Sequence, residues 1–393
     1  MNNNKQKLTL AILLANLFLA FLGIGLVIPV LPTIMNELGI SGTVVGYMVA
    51  AFAFVQLIAS PFAGRWADRY GRKLMIVIGL VIFGFSEFLF GIGKTVEVLF
   101  LSRIFGGLSS AFIMPAVTAF IADITTPGQR SKALGYMSAA ISTGFIVGPG
   151  VGGLLAEFGT RLPFFVAGFL GLLAAVLSFF LLKEPNRSEE TKTTVQLNFQ
   201  ARMAIVFKPI YFIALILIFI TSFGLSAFES LFSLFIDHKF GFSPKDIAII
   251  IMGGGILGAI GQIFLFDYLT KKIGEIVLIR YCLIFSAIVV YLITEVNQYF
   301  TILLTTIIVF VGFDLMRPAI TTYLSKIAGS EQGFIGGMNS TFTSIGNVFG
   351  PIVGGYLFDI NLNYPYYFST IVIIAGVVLS MFWKDPERQK APL

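Results

Sequence analysis

Long apolar runs recur along the whole of this chain, and they leave few ways for it to fold. Leu74–Gly93, Pro163–Leu182, Tyr211–Phe235 and Tyr364–Trp383 each reach about 18 residues or more, the length needed to cross ~30 Å of hydrocarbon. Composition agrees: 57% of residues are hydrophobic, only 12% are charged, and the mean hydropathy is +0.92. A water-soluble surface cannot be covered from such a stock of side chains. The first run, 8–33, follows Lys5 and Lys7 as a secretory signal would. It is too long for one and has no convincing small-residue cleavage site, so it reads as a retained span.

Twelve spans are predicted, at 8–33, 45–66, 74–93, 97–123, 132–157, 163–182, 211–236, 247–266, 275–294, 298–325, 333–358 and 364–383. The basic residues then fall in alternate loops. On one side lie Lys5 and Lys7; Arg65, Arg69, Arg72 and Lys73; Arg130 and Lys132; Lys183, Arg187, Lys192, Arg202 and Lys208; Lys271 and Lys272; Lys326; and Lys384, Arg388 and Lys390. The intervening loops hold only Lys94, Arg161, Lys239 and Lys245, while Arg103, Arg280 and Arg317 sit inside apolar runs. This is the positive-inside pattern, which predicts a multi-pass protein with both termini cytoplasmic. The net charge of +6 therefore reports topology, and no nucleic-acid partner is expected.

Cys282 and His238 are each the single residue of their type. Disulfides, structural zinc and Cys/His catalysis lack material, so no metal and no cofactor is expected. Cys282 reads as lipid-facing or packed, and His238 as a solvated residue of an outer loop. Between the sixth and seventh spans the stretch Lys183–Pro209 turns polar, with Glu184, Glu189, Glu190 and Lys192, and is predicted to be a cytoplasmic linker. The chain on either side repeats itself at an offset of about 202 residues: Gly144-Phe-Ile-Val-Gly-Pro-Gly-Val-Gly-Gly153 returns as Gly346-Asn-Val-Phe-Gly-Pro-Ile-Val-Gly-Gly355. Pro163 against Pro365, Leu177-Ser178 against Leu379-Ser380, Pro115-Ala116 against Pro318-Ala319, and Lys183-Glu-Pro185 against Lys384-Asp-Pro386 fall in step. The expected architecture is an all-α membrane protein of two pseudo-symmetric six-helix bundles, 1–183 and 210–393, joined by 184–209. Parallel repeats of this kind place a substrate site between them near mid-membrane.

Gly64-Arg-Trp-Ala-Asp68-Arg69-Tyr-Gly71-Arg72-Lys73 resembles the signature loop of the major facilitator superfamily, and Gly144, Gly148, Pro149, Gly152 and Gly153 resemble its antiporter motif. Arg103…Gly107…Ala111 is similar to the motif that supplies a membrane arginine in drug:proton antiporters with twelve spans. Phe21–Pro29, Gly135–Ala139, Phe223–Glu229 and Gly312–Pro318 are closest to the Gram-positive multidrug efflux group of Bmr, Blt and NorA. The resemblance covers nearly the whole chain. It implies the major facilitator fold and proton-coupled export of diverse cationic or amphipathic drugs and dyes by a monomer in the bacterial cell membrane.

The ionisable side chains fit that implication. A carboxylate or guanidinium near the bilayer centre costs ~2.5–3.5 kcal/mol, so it should face a cavity or a partner. Glu229 falls in the outer half of span seven, Asp314 and Arg317 near the middle of span ten, and Arg103 in the outer half of span four. Asp314 and Arg317 are three residues apart and share a helix face. Burial and a neighbouring guanidinium pull such a carboxylate in opposite directions, which lets it exchange a proton as its exposure changes. The resemblance assigns proton coupling to Glu229 and Asp314 and substrate contact to both of them, Arg103 and Arg317; the alternative is a static buried ion pair. Glu87 in span three belongs to no motif, though it could approach the interface between the halves.

For Gly64, Asp68, Arg69, Gly71 and Arg72, positive-inside topology and a tight glycine turn already account for the residues; the resemblance adds a gating latch. The matching place in the second half, Asp267–Gly274, is degenerate, so the latch is expected to act asymmetrically. For Gly144–Gly153, small residues permit close helix approach and Pro149 bends its helix; the resemblance adds closure of a proton leak. Most of the 42 Phe must face lipid or pack. Phe18, Phe145, Phe310 and Phe313, with Gln56 and Asn339, are the candidates to line a cavity for flat cationic guests.

No G-x-x-x-x-G-K-[ST] loop occurs, since Gly93-Lys94-Thr95 has Phe88 where the first glycine belongs. Energy is thus expected from a gradient, worth ~2.3 kcal/mol per proton per 100 mV. An exporter of a narrower metabolite, sugar or polyamine is the main alternative. A polytopic membrane enzyme lacks a convergent catalytic cluster.

Overall fold

The computed structural model describes residues 3–185, 206–328 and 332–383, and every regular element among them is helical. Lipid offers no partner for backbone N–H and C=O groups, and a helix satisfies them within one segment. Span one runs Asn3–Val27, tightens through the 3-10 turn Ile28–Val30 and ends as the short helix Leu31–Leu38. Pro29 and Pro32 mark that break, because neither ring can donate into a continuing ladder. Spans two to six are Gly42–Tyr70, Arg72–Ile92, Val96–Ile124, Pro127–Ala156 and Leu162–Leu181. Spans seven to twelve are Pro209–Phe240, Pro244–Phe264, Glu275–Glu295, Tyr299–Ile327, Gln332–Ile360 and Tyr364–Met381, with a short helix Phe266–Ile273 after span eight. The polar linker 184–209 lies outside the described residues apart from its two ends.

Spans four, ten and eleven are each 29 residues, about 43 Å at 1.5 Å per residue, enough to pass the hydrocarbon and enter both headgroup layers. By length and apolarity 11 of the twelve long helices among the described residues qualify as membrane spans. The exception is span eleven, where Asn339, Ser340, Thr341, Thr343, Ser344 and Asn347 interrupt the apolar pattern. It is the least lipid-like of the predicted spans, as a helix facing a wet interior rather than acyl chains would be. Phe180, Phe264, Phe300 and Ile371 lie bare on the surfaces of other spans. That arrangement suits hydrocarbon and not water.

The described residues fall into two compact units, the first from 1–44, 48–194 and 233–252, the second from 45–47, 195–232 and 253–393. In the first, span one packs on spans five and six, and span three on spans four and six. Leu13, Leu17, Ile76, Leu80 and Phe120 form its dry core, crossed by one buried hydrogen bond from Asn16 to Ser178 Oγ at 2.7 Å. Ser102 and Ser109 of span four donate to the Ser86 and Gly79 carbonyls of span three at 2.8 and 2.7 Å. Small hydroxyl residues serve as glue where hydrophobicity cannot drive association. In the second unit span nine packs on spans ten and twelve, and span eleven on span twelve.

The sequence repeat reappears as contact geometry. A Cβ at Gly144 or Gly148 would stand 2.7 and 2.6 Å from the Phe18 and Leu22 carbonyl oxygens of span one, and one at Gly152 would collide with Leu26 O. At the same offset, Gly346 and Gly350 of span eleven would meet span seven at Phe223 N and Phe223 O, at 2.8 and 2.6 Å. Each unit therefore has a seam where two helices touch backbone to backbone, and only glycine fits. Gly71 (φ +110°) and Gly274 (φ +83°) likewise make the same positive-φ turn after spans two and eight, a region that disfavours a side chain.

One sequence expectation is corrected here. His238 is not in a loop but in the last turn of span seven, with Nδ1 2.8 Å from Leu234 O. Arg280, inside an apolar run, donates to Ser380 O of span twelve at 2.7 Å. Cys282 is buried.

Candidate functional site

Span seven brings Glu229 within electrostatic reach of Asp314 and Arg317 on span ten. The Glu229 side chain is exposed rather than packed. Asp314 is half-buried and Arg317 is exposed, and among the described residues none of the three forms an ion pair within 4.0 Å with another. Three ionisable groups thus share one neighbourhood without an ion pair among them. Gly258 of span eight makes this possible from behind. The Asp314 carboxylate lies so close to that glycine that a Cβ there would overlap Oδ2, and the Phe310 ring fills the same role over Gly254.

In the first unit Arg103 is mostly buried, its guanidinium 4.4 Å over the Phe90 ring and 3.5 Å from Glu87 Oε1. The pair borders a small recess with Phe21, Phe52, Phe83 and Ser110 on its walls. Gln56 donates to Ser110 Oγ at 2.8 Å, and Phe145 reaches the same place through its ring contact with Phe21 at 5.0 Å. Phe18 packs beside Phe83 in the neighbouring apolar cluster. Phe313 is 1% exposed and packs against Phe228 at 6.3 Å. Asn339 donates to Thr321 Oγ1 at 3.4 Å.

The loop after span two is an ionic knot. Arg72 Nη2 lies 2.9 Å from Asp68 and Nε 2.9 Å from Asp123 of span four, and Nη1 donates to Ala67 O at 3.1 Å. Beneath it, Glu184 accepts from the Arg72 and Lys73 backbone N–H groups at 2.6 and 2.9 Å. A carboxylate there satisfies the orphan donors of span three and complements the positive end of its dipole. Gly71 leaves room for it, since a Cβ would stand 2.9 Å from that carboxyl. Arg69 does not join; it stacks on Tyr70 at 5.4 Å, and Gly64 faces Pro115 at an ordinary 3.9 Å. The counterpart in the second unit is slighter. Asp267 and Lys271 form an exposed pair at 2.6 Å, and Lys326 pairs separately with Glu275.

Asp123 and Glu184 were not singled out from sequence. The only signal was the recurrence of Lys183-Glu184-Pro185 as Lys384-Asp385-Pro386, and the latter lies outside the described residues. Glu184→Ala is expected to cost about 1 kcal/mol, as loss of a helix N-cap does, and to lower the thermal midpoint in detergent. Lys73→Ala, which keeps its backbone N–H, should leave that midpoint nearly unchanged.

Twelve long helices among the described residues and two units carrying the same glycine seam define a polytopic helical membrane protein with an internal repeat. The family model described as Major Facilitator Superfamily matches residues 13–313 and 214–393, and the chain belongs to that family. It is 65% identical to Multidrug resistance protein 1 of Bacillus subtilis (strain 168) over 98% of this chain and 99% of the relative. It is 49% identical to the Quinolone resistance protein NorA of Staphylococcus aureus (strain COL) over 97% of each. Among solved structures, a bacterial homolog of the human lysosomal transporter Spinster matches with a TM-score of 0.79 at 17% identity, covering 98% of this chain and 96% of that one. This last likeness concerns the fold alone.

Proposed function

We propose that the protein is a proton-coupled multidrug efflux antiporter of the bacterial cell membrane, exporting cationic and amphipathic compounds by alternating access. The observation that carries the reading is the grouping of Glu229, Asp314 and Arg317, accessible and unlocked, at membrane depth in the second unit. Such groups are costly in lipid and are retained where something must bind. A proton and a cation compete for the same carboxylates, so loading one releases the other, which is the requirement for exchange. The names of relatives at 49 to 65% identity over nearly the whole chain support drugs as the guests. The Asp68–Arg72–Asp123–Glu184 knot is a latch that holds one access state on the cytoplasmic side, and the Gly144–Gly153 seam seals the first unit against proton leak. Transport by a monomer, cytoplasmic termini, and a bundle boundary at the 184–209 linker complete the proposal.

Expression in a dye-sensitive bacterial host tests it. Ethidium retention should fall in expressing cells and return to the control level when a protonophore is added. Unchanged retention of ethidium-like dyes and of fluoroquinolones would leave a narrower metabolite, sugar or polyamine exporter as the better reading.

A further inference from the structure

The sequence repeat places Asp237 and Lys245 in the second half of the chain, yet residues 233–252, the end of span seven and the start of span eight, fold with the first compact unit. Span eight lies close against span five there. A Cβ at Gly153 would stand 2.5 Å from Ala248 Cβ and 3.0 Å from Pro244 O, and one at Gly150 would meet Met252 Sδ at 2.7 Å. The second unit repeats the arrangement, since a Cβ at Gly46 of span two would meet Gly355 Cα of span eleven at 3.3 Å. The glycine contact is common to both units, but the first adds polar contacts at its rim. Lys245 Nζ lies 2.9 Å from Glu157 Oε1 at the end of span five, and Asn36, at the end of span one, donates to Asp237 Oδ2 at 2.9 Å. The offset of the repeat matches Lys245 to Thr43, so this cation has no counterpart there.

Neither charge of the pair serves its own helix. Glu157 caps the C-terminus of span five, where a carboxylate faces the negative end of the helix dipole. Lys245 sits in the first turn of span eight, where a cation faces the positive end. Their favourable partner is each other. Both side chains are about half exposed, and an ion pair in solvent contributes little and breaks easily. Charges misplaced for local stability, held weakly, and joined across helices from different repeats suit a contact that opens and closes.

We propose that Glu157–Lys245, with Asn36–Asp237 beside it, is a clasp that holds shut the face of the protein away from its termini and opens once in each transport cycle. Repeats of this kind alternate access by rocking against one another, and spans five and eight come from different repeats. The clasp yields to that motion, and its charges bring the helix ends back into register. The inference rests on the efflux reading for the cycle, and distances measured in the resting protein keep the two separable.

The first test uses the purified full-length protein in lipid nanodiscs, with Cys282→Ser removing the native thiol and spin labels on Phe158→Cys and Lys239→Cys. Lys245→Glu, which sets two carboxylates face to face, is expected to raise the population at longer distance about two- to fivefold, the shift that an exposed pair can supply. Asn36→Ala should move the distribution the same way. Glu157→Lys combined with Lys245→Glu should return it to the wild-type form or to a still larger short-distance population, because each charge then also suits its own helix end. An unchanged distribution in either single variant, or an exchange of charges that does not restore it, would overturn the inference. Should Lys245→Glu not fold, Lys245→Gln decides by the same reading. In proteoliposomes, a short bifunctional thiol reagent joining Glu157→Cys to Lys245→Cys should stop ethidium transport, and cleaving the link should restore it. Transport by the linked protein at the unlinked rate would also overturn the clasp. Unlinked protein that transports nothing would remove the efflux reading and leave the distances to judge the clasp.

Discussion

Glu229→Gln and Asp314→Asn are each expected to reduce pH-driven dye transport in proteoliposomes to the level of protein-free vesicles, with the protein still folded and monodisperse in detergent. Each amide keeps the shape and hydrogen-bonding capacity of the acid and removes only its ability to titrate. Neither acid holds the fold through an ion pair within 4.0 Å among the described residues, and Glu229 is exposed. The folding cost is therefore small. A charged group at this depth costs ~2.5–3.5 kcal/mol to place in a membrane, so neutralising it should leave the thermal midpoint equal or higher. Loss of transport without loss of stability separates a coupling acid from a structural one. Normal pH-driven transport by both variants would refute the assignment.

Gly148→Val and Gly350→Val are expected to fail at an earlier stage, giving little folded protein in the membrane. The atoms a side chain would meet are backbone: Leu22 O at 2.6 Å and Gly25 Cα at 2.8 Å for the first, Phe223 O at 2.6 Å and Ala227 N at 3.0 Å for the second. Backbone cannot swing aside as a side chain can, so the helices must part and the surrounding packing goes with them. Overpacking of that kind costs ~1–3 kcal/mol, and more where nothing relaxes. Gly135→Ala, in the same span as Gly148 but with nothing within 4 Å, is the control and should be tolerated. Yields and thermal midpoints of fluorescent-tagged variants on size exclusion measure all three. Wild-type yields for both valine variants would mean that the seam is not close-packed.

The parts of this molecule governed by local pattern could be read from sequence, while those made by distant partners could not. Hydrocarbon thickness sets span length, so the long helices appear directly as apolar runs, and the alternating Lys/Arg loops carry their own orientation signal. Span eleven is the exception in kind: its Asn, Ser and Thr residues blur the apolar signal. Glu184 was invisible as a cap because its donors, Arg72 and Lys73, lie more than a hundred residues away. Asp123 shares that difficulty. Gly258 carries no chemistry of its own and gains meaning only from the carboxylate resting on it. Phe313 shows the limit of face-matching on a helix one position from Asp314, since its neighbour's ring, Phe228, claims it for the core.

One further consequence follows from the bare backbone at Gly258. An acid pressed against a neighbouring helix on one flank has only its other flank left for a guest. Under the exchange reading, hydronium and organic cation must queue at a single doorway, and whichever stands in it bars the other. Exclusion of that sort distinguishes a swap from a slip, and it would come from the absence of one methyl group.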